Sequence, residues 1–440
     1  MLHRTKKLWI GIAGALCGLG LLLAAALPVD AQNADDPVRF NVNAGGRDLI
    51  KLAIPVGIGD PSTGGLAQEV MINDLALSGF FKVLDPKAYL ADLKTEGMGL
   101  NVPDWRNIGA EGVIKARAVG SGTDVRFEFR LYELSRGDQP VLTKEYRGPA
   151  ATARMMIHQW AGEVVRYYTK EESFFSSKIA FSSSTGQRRR DIVVMDWDGA
   201  GVNKLTTASQ NILPSWAPSG SEVAFTSFMQ GAPYLYALSL RGGKPKVLSN
   251  RPGLNMGAAY SPDGSKIALT LSQDSNSEIY LISSTGGIIK RLTSNPFIDT
   301  SPSWSPDGSR ITFVSDRHGS PQIWVMNADG SNQQRLTRRG NYNQTPRWSP
   351  RKDLPLIAFT GRDEKLSYDI FTINPDTSEM ARITEGKGSN QAPSWSPNGR
   401  AITYESTRKG VWISTFDGKT ERQVYKGDAA TPSWGPSLNR

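Results

Sequence analysis

One short phrase recurs six times in the C-terminal part of the chain, and it leaves few folds open. It reads PSWAPSG at 214–220, AAYSPDG at 258–264, PSWSPDG at 302–308, PRWSPRK at 346–352, PSWSPNG at 393–399 and PSWGPSL at 432–438. The aromatic anchors Trp216, Tyr260, Trp304, Trp348, Trp395 and Trp434 are spaced by 44, 44, 44, 47 and 39 residues. A period of about 40–45 residues with four strands per unit is that of a β-propeller blade. Each unit parses alike. A strand ends at the aromatic, and a Ser-Pro-Asp-Gly turn follows, in which Pro fixes φ and Gly accepts a positive φ. A β-branched run such as Val223-Ala224-Phe225 or Ile311-Thr312-Phe313 is the second strand, and Ile279-Tyr280-Leu281 or Ile323-Trp324-Val325 the third. Hairpins such as Gly286-Gly287 and Asp329-Gly330 lead to a short fourth strand ending in Leu292-Thr293 or Leu336-Thr337.

The ends of the repeat carry information of their own. The run Ile179-Ala180-Phe181 has no Pro-Ser-Trp strand before it, and the phrase at 432–438 has no second strand after it. Pairing the two completes six blades and closes the ring, which removes exposed sheet edges. The expected propeller spans 176–440.

Residues 47–175 show no repeat and read as a small α/β domain. Strands are expected at 51–56 and 80–84, with a helix at 66–78. Segments 112–118 and 125–134 alternate as a hairpin joined by Ser121-Gly122. Ala153, Met156, Ile157, Trp160, Val164 and Tyr168 recur at helical spacing on one face. That helix leads almost directly into the first blade, so a rigid junction is expected.

The N-terminus reads as a secretory signal over 1–31. Arg4, Lys6 and Lys7 precede an apolar stretch from Leu8 to Leu27, and Val29-Asp30-Ala31 places cleavage between Ala31 and Gln32. An uncleaved anchor is the rival, because about 20 apolar residues span a bilayer. Cys17 lies inside this stretch, so the mature chain holds no cysteine and neither disulfide nor thiol chemistry. Cleavage leaves 48 basic against 41 acidic residues, a formal +7. Such mild basicity aids solubility, and no basic-aromatic motif points to nucleic acid. Residues 32–46 form a polar N-terminal arm with at most one strand, at 38–42.

Catalytic patterns are missing. The mature chain has two histidines, His158 in the expected helix and His318 in a turn, and neither sits in a motif. There is no nucleophile elbow, cysteine nucleophile or P-loop. The Asp-Gly pairs lack the later Glu of a calcium loop and read as turns. The run Arg188-Arg189-Arg190 reads as a solvated loop between the second and third strands of the first blade. No catalytic residue, cofactor, metal or small-molecule substrate is expected.

A different constellation stands out. Five residues before the anchor aromatics lie Asn211, Asn255, Asp299, Asn343 and Asn390, and only the sixth unit departs, with Ala429. These positions fall in loops that gather at one mouth of a propeller channel. Six such loops would ring the mouth with amide and carboxyl groups. An Asn can also cap its own loop by bonding nearby backbone. Leu254, Thr300, Gln344 and Gln391 vary beside them.

The signal, the α/β domain and six units of the form L-T-x(n)-N-x-x-P-S-W-S-P-D-G-x-x-I-A-F together resemble the TolB family, periplasmic components of the Tol–Pal envelope system. The resemblance covers essentially the whole mature chain. It implies a non-enzymatic scaffold whose propeller mouth docks the peptidoglycan-associated lipoprotein Pal. On this sequence the contacts would be Asn211, Leu254, Asn255, Gly257, Asp299 and Thr300, with Asn343, Gln344, Asn390 and Gln391 around the rest of the mouth. It also implies that the arm, through Asp35, Asp36, Val38, Arg39, Phe40 and Val42, reaches the inner-membrane-anchored TolA. Other outer-membrane proteins are further candidate partners, and a monomer is expected. The family role is outer-membrane integrity, cell division and the uptake of some bacteriocins. The unit with Ala258-Ala259-Tyr260 and the sixth unit without Asn depart from the pattern. Two alternatives share the repeat: a gating propeller of a peptidase, which needs a hydrolase domain, and a cofactor-dependent sugar dehydrogenase, which needs a metal site and a catalytic His.

Overall fold

The computed structural model describes residues 49–438, apart from 122, 187, 188, 208 and 363–366. The expected signal and the arm residues Asp35 to Val42 lie outside the described residues.

The N-terminal domain is a mixed sheet built from β1 (Ile50–Ala53), β2 (Ile58–Gly59), β3 (Phe81–Val83), β4 (Gly112–Ser121), β5 (Asp124–Glu133) and β6 (Pro140–Pro149). The order is β3-β1-β4-β5-β6, with β1 parallel to both neighbours and β4 to β6 antiparallel. Strand periodicity sorts the side chains between two cores. Leu52, Ile54, Ile114, Ala116, Phe127 and Phe129 face the helices α1 (Pro61–Leu77) and α4 (Ala153–Thr169). Ala53, Val113 and Tyr132 face the other way, onto Trp105. Two short helices, α2 (Leu93–Glu96) and α3 (Val102–Asn107), lie between β3 and β4.

The structure corrects several boundaries. Helix α1 begins five residues before the expected Leu66, because Asp60 caps it by accepting the Thr63 N–H at 2.8 Å and Pro61 fits the first turn. Gly64 on that turn lies against the strand loop, where an added Cβ would stand 2.3 Å from the Gly57 carbonyl oxygen. Strand β6 was not expected, since its exposed edge residues carry little alternation.

Six four-stranded antiparallel sheets follow among the described residues. The closing blade joins the C-terminal strand Ala430–Trp434 to β7 (Lys178–Gly186), β8 (Arg189–Asp196) and β9 (Asn203–Lys204). The register pairs Trp434 with Ile179 and Ala430 with Ser182, as the ends of the repeat require. Arg189 and Arg190 belong to β8 rather than to a loop. Arg190 donates to Ser182 Oγ at 3.0 Å and pairs with Asp428 at 3.0 Å. Blades two to six start with the innermost strands Asn211–Trp216, Asn255–Tyr260, Asp299–Trp304, Asn343–Trp348 and Asn390–Trp395.

The repeat phrase explains how blades hold one another. The Trp216 indole N–H donates to the Ser433 carbonyl at 3.0 Å, Trp304 to Ala259 at 3.1 Å and Trp395 to Arg347 at 2.9 Å. These three anchors are thus buried and stitched to the preceding blade. In the turns, Asp263 and Asp307 accept from flanking serine hydroxyls, which hold both carboxyls down at about 2.

The α/β domain and the closing blade share one core. Phe174 and Phe175 in the linker pack on Trp197, and Phe174 also on Trp434. Glu171 pairs with Arg400 and, at 3.4 Å, with Arg351. The domain therefore covers the end of the propeller that carries the Ser-Pro-Asp-Gly turns. The opposite mouth is left uncovered by the described residues.

Candidate functional site

The uncovered mouth is formed where each fourth strand passes to the next innermost strand. The five Asn and Asp residues stand at the first position of those strands and are fully buried. Their side chains do not ring the mouth as a funnel of amides and carboxyls; of the two readings open in the sequence, the capping one holds. They turn inward and brace the loops instead. Asn255 Oδ1 accepts from Ser249 Oγ at 2.6 Å and the Arg251 N–H at 3.1 Å, while its Nδ2 donates to the Arg251 carbonyl at 2.8 Å. Asp299 accepts from Asn295 Nδ2 and from the Arg317 guanidinium, both at 2.7 Å. Asn211 donates to the Arg190 carbonyl at 3.1 Å.

The Leu-Thr pairs belong to the same bracing. They follow the short fourth strands rather than ending them, a correction to the sequence reading. Thr337 Oγ1 accepts the Ile323 N–H at 2.9 Å and donates to Gln322 Oε1 at 2.7 Å. Gln322 Oε1 in turn accepts from Asn343 Nδ2 at 2.9 Å. Thr384, Asp369 and Asn390 repeat the chain at 2.6 and 3.2 Å. Buried polar groups linked this way fix the loops rigidly, because breaking any link strands its neighbour.

With the braces turned inward, the next residues face the mouth. Leu254, Gly257, Thr300, Gln344 and Gln391 are half-buried, and Gln344 Nε2 reaches Gln391 Oε1 across two blades at 3.3 Å. Just before Asp299, Phe297 and Ile298 are 42% and 50% exposed, although their backbone N–H groups are held by Asn295 and Asp316. Met229, at the outer turn of blade two, is 44% exposed. Sequence reading passed over these three apolar residues. For Phe297 and Ile298 the signal was an apolar pair next to the Asp of the motif.

Each innermost strand also carries a bulge three residues before its anchor aromatic, where the register to the second strand shifts. The residue there is left-handed every time: Leu213, Gly257, Ser301, Thr345, Ala392 and Thr431, with φ between 50° and 65°. Five of the six are not glycine.

The family model for the "TolB beta propeller domain" matches residues 165–438, and that for the "TolB amino-terminal domain" matches 38–140. The chain belongs to the TolB family. A crystal structure of TolB from Acinetobacter baumannii superposes with a TM-score of 0.78 at 26% identity, over 89% of this chain and 97% of that one. The Tol-Pal system protein TolB of an Anaeromyxobacter species is 41% identical over 233 residues, 51% of this chain and 52% of the relative. That of Cereibacter sphaeroides is 32% identical over 244 residues, 53% and 54% of the two chains. The aligned stretch spans about half the length of these curated relatives. The TolB fold, six four-stranded blades behind a small α/β domain, is the architecture described above.

Proposed function

We propose that this chain is a periplasmic, non-enzymatic component of a Tol–Pal system that docks Pal at the uncovered propeller mouth. On this reading the N-terminal arm, Asp35 to Val42, engages TolA, and the assembly supports outer-membrane integrity and cell division. The supporting observation is the mouth itself. Its loops are braced from below by buried Asn and Asp residues, so they present half-exposed Leu254, Thr300, Gln344 and Gln391 beside exposed Phe297 and Ile298 without a large ordering cost on binding. An apolar centre with a hydrogen-bonding rim is the composition of a protein-docking patch. The family membership and the relatives' name, Tol-Pal system protein TolB, support a protein partner within that system.

The test is titration calorimetry of the mature chain with the soluble domain of its own organism's Pal. Leu254→Arg and Thr300→Arg place charges on the surface without touching a brace. They are expected to weaken binding by about 100-fold or more while leaving the melting temperature unchanged, as for residues at the centre of an interface. Unchanged affinity in both variants moves the site away from this mouth.

A further inference from the structure

The other end of the channel holds an open cavity of about 1100 Å³ between the turn side of the blades and α4 with its linker. The residue before each anchor aromatic lines it in all six blades: Ser215, Ala259, Ser303, Arg347, Ser394 and Ser433. Five are small. The sixth is the one cation of the ring, standing where the repeat otherwise asks for serine.

Arg347 is not explained by the fold. Ser303 and Ser394 have structural work, accepting the backbone N–H groups of Trp348 and Trp434 at 3.1 and 2.9 Å. The guanidinium of Arg347 makes one hydrogen bond among the described residues, from Nη1 to its neighbour Pro346's carbonyl at 3.0 Å. No carboxylate among the described residues forms an ion pair with it. Burial alone acts on it, pulling its pKa down to about 10, so it stays charged at neutral pH. The carboxylates that line the cavity are at the domain seam, where Glu145 pairs with Arg126, and Glu163 and Glu172 pair with Arg166. Arg347 is half-buried and lines the cavity with no carboxylate against it, so an anion entering there would meet an unpaired cation.

We propose that Arg347 makes the turn-side cavity a binding site for a small oxyanion. Nε and Nη2 form the free edge of the guanidinium, the fork that meets two oxygens of a phosphate or carboxylate side by side. The site is separate from the mouth assigned to Pal, since it lies at the opposite end of the channel and does not depend on that assignment.

The experiment compares the mature chain with Arg347→Ser, which restores the residue of four other blades and so is expected to fold. Inorganic phosphate and, separately, acetate are titrated at constant ionic strength, with melting temperature and calorimetric heat as readouts. Saturable binding of either anion to the native chain, weakened at least about tenfold in Arg347→Ser, supports the site, and the anion that binds more tightly sets its class. An absence of saturable binding, or equal binding by both proteins, overturns it. Should Arg347→Ser melt early even without anion, Arg347→Lys keeps the charge and removes the fork. Phosphate affinity equal to the native value in that variant also overturns the bidentate site.

Discussion

His158 Nδ1 stands 2.7 Å from Asp74 Oδ2, and both side chains are buried where the α/β domain meets the propeller. His158 is on α4 and Asp74 on α1. The other ring nitrogen, Nε2, lies 3.5 Å from Asp198 Oδ2 in the outer hairpin of the closing blade, and Arg154 pairs with the same carboxylate. One imidazole thus links two helices to a blade. Burial pushes the Asp74 carboxyl up to about 6 despite the attraction of His158. Burial opposes charging His158, but the Asp74 charge and hydrogen bond, with Asp198 behind them, raise it above its ordinary value.

Both shifts mean that the native pair holds protons that the unfolded chain releases. The Asp74 contribution is present below about pH 4 and is lost as pH rises through about 6; the His158 contribution is present below about pH 6.5 and is lost above it. Unfolding free energy from this cluster therefore declines toward alkaline pH. Urea unfolding at several pH values should show this decline in the native chain. His158→Gln should be less stable by about 3 kcal/mol at mildly acidic pH, and, with His158 no longer holding the Asp74 carboxyl down, its remaining decline should shift to higher pH. Parallel profiles for the two proteins would falsify this linkage.

Ring closure rests on the C-terminal strand. Trp434 is buried against Phe174, and its indole N–H donates to Ser177 Oγ at 2.7 Å. Trp434→Ala should cost about 3–5 kcal/mol, measured by chemical unfolding. A loss below about 1 kcal/mol would mean the ring does not depend on this anchor.

The left-handed bulges give a reciprocal pair of variants. At Gly257 (φ 65°) an added Cβ meets nothing nearer than 3.9 Å, so Gly257→Ala tests backbone alone and should cost about 1–2 kcal/mol. Ala392 occupies the equivalent place at φ 53°, so Ala392→Gly should be neutral or stabilising by up to about 1 kcal/mol. Equal losses in both would show that side-chain packing, not φ, governs the site.

Asn255→Ala removes a side chain that satisfies a buried hydroxyl, an N–H and a carbonyl of its own loop. The expected cost is about 2–4 kcal/mol, read from the unfolding midpoint, in contrast to the neutral surface change Leu254→Arg. If the two variants melt alike, the brace is not supporting the loop.

The sequence alone determined the six blades, their four strands and the closure by the C-terminal strand, because a repeat of fixed period has one way to bury both faces of every sheet. It also marked the Asn and Asp positions at the mouth, since one residue type recurred at a fixed distance from the aromatic. Tertiary structure decided which way those side chains turn. Asn343 points inward because Gln322, 21 residues earlier and itself held by Thr337, and the Arg339 carbonyl supply its partners, and a linear pattern does not reveal hydrogen bonds between adjacent strands and blades. The same holds for His158, an isolated histidine on a helix in the sequence. Only packing brought it to Asp74, 84 residues away, and to Asp198 on another domain, because partners of a buried charge are chosen by the fold and not by spacing along the chain.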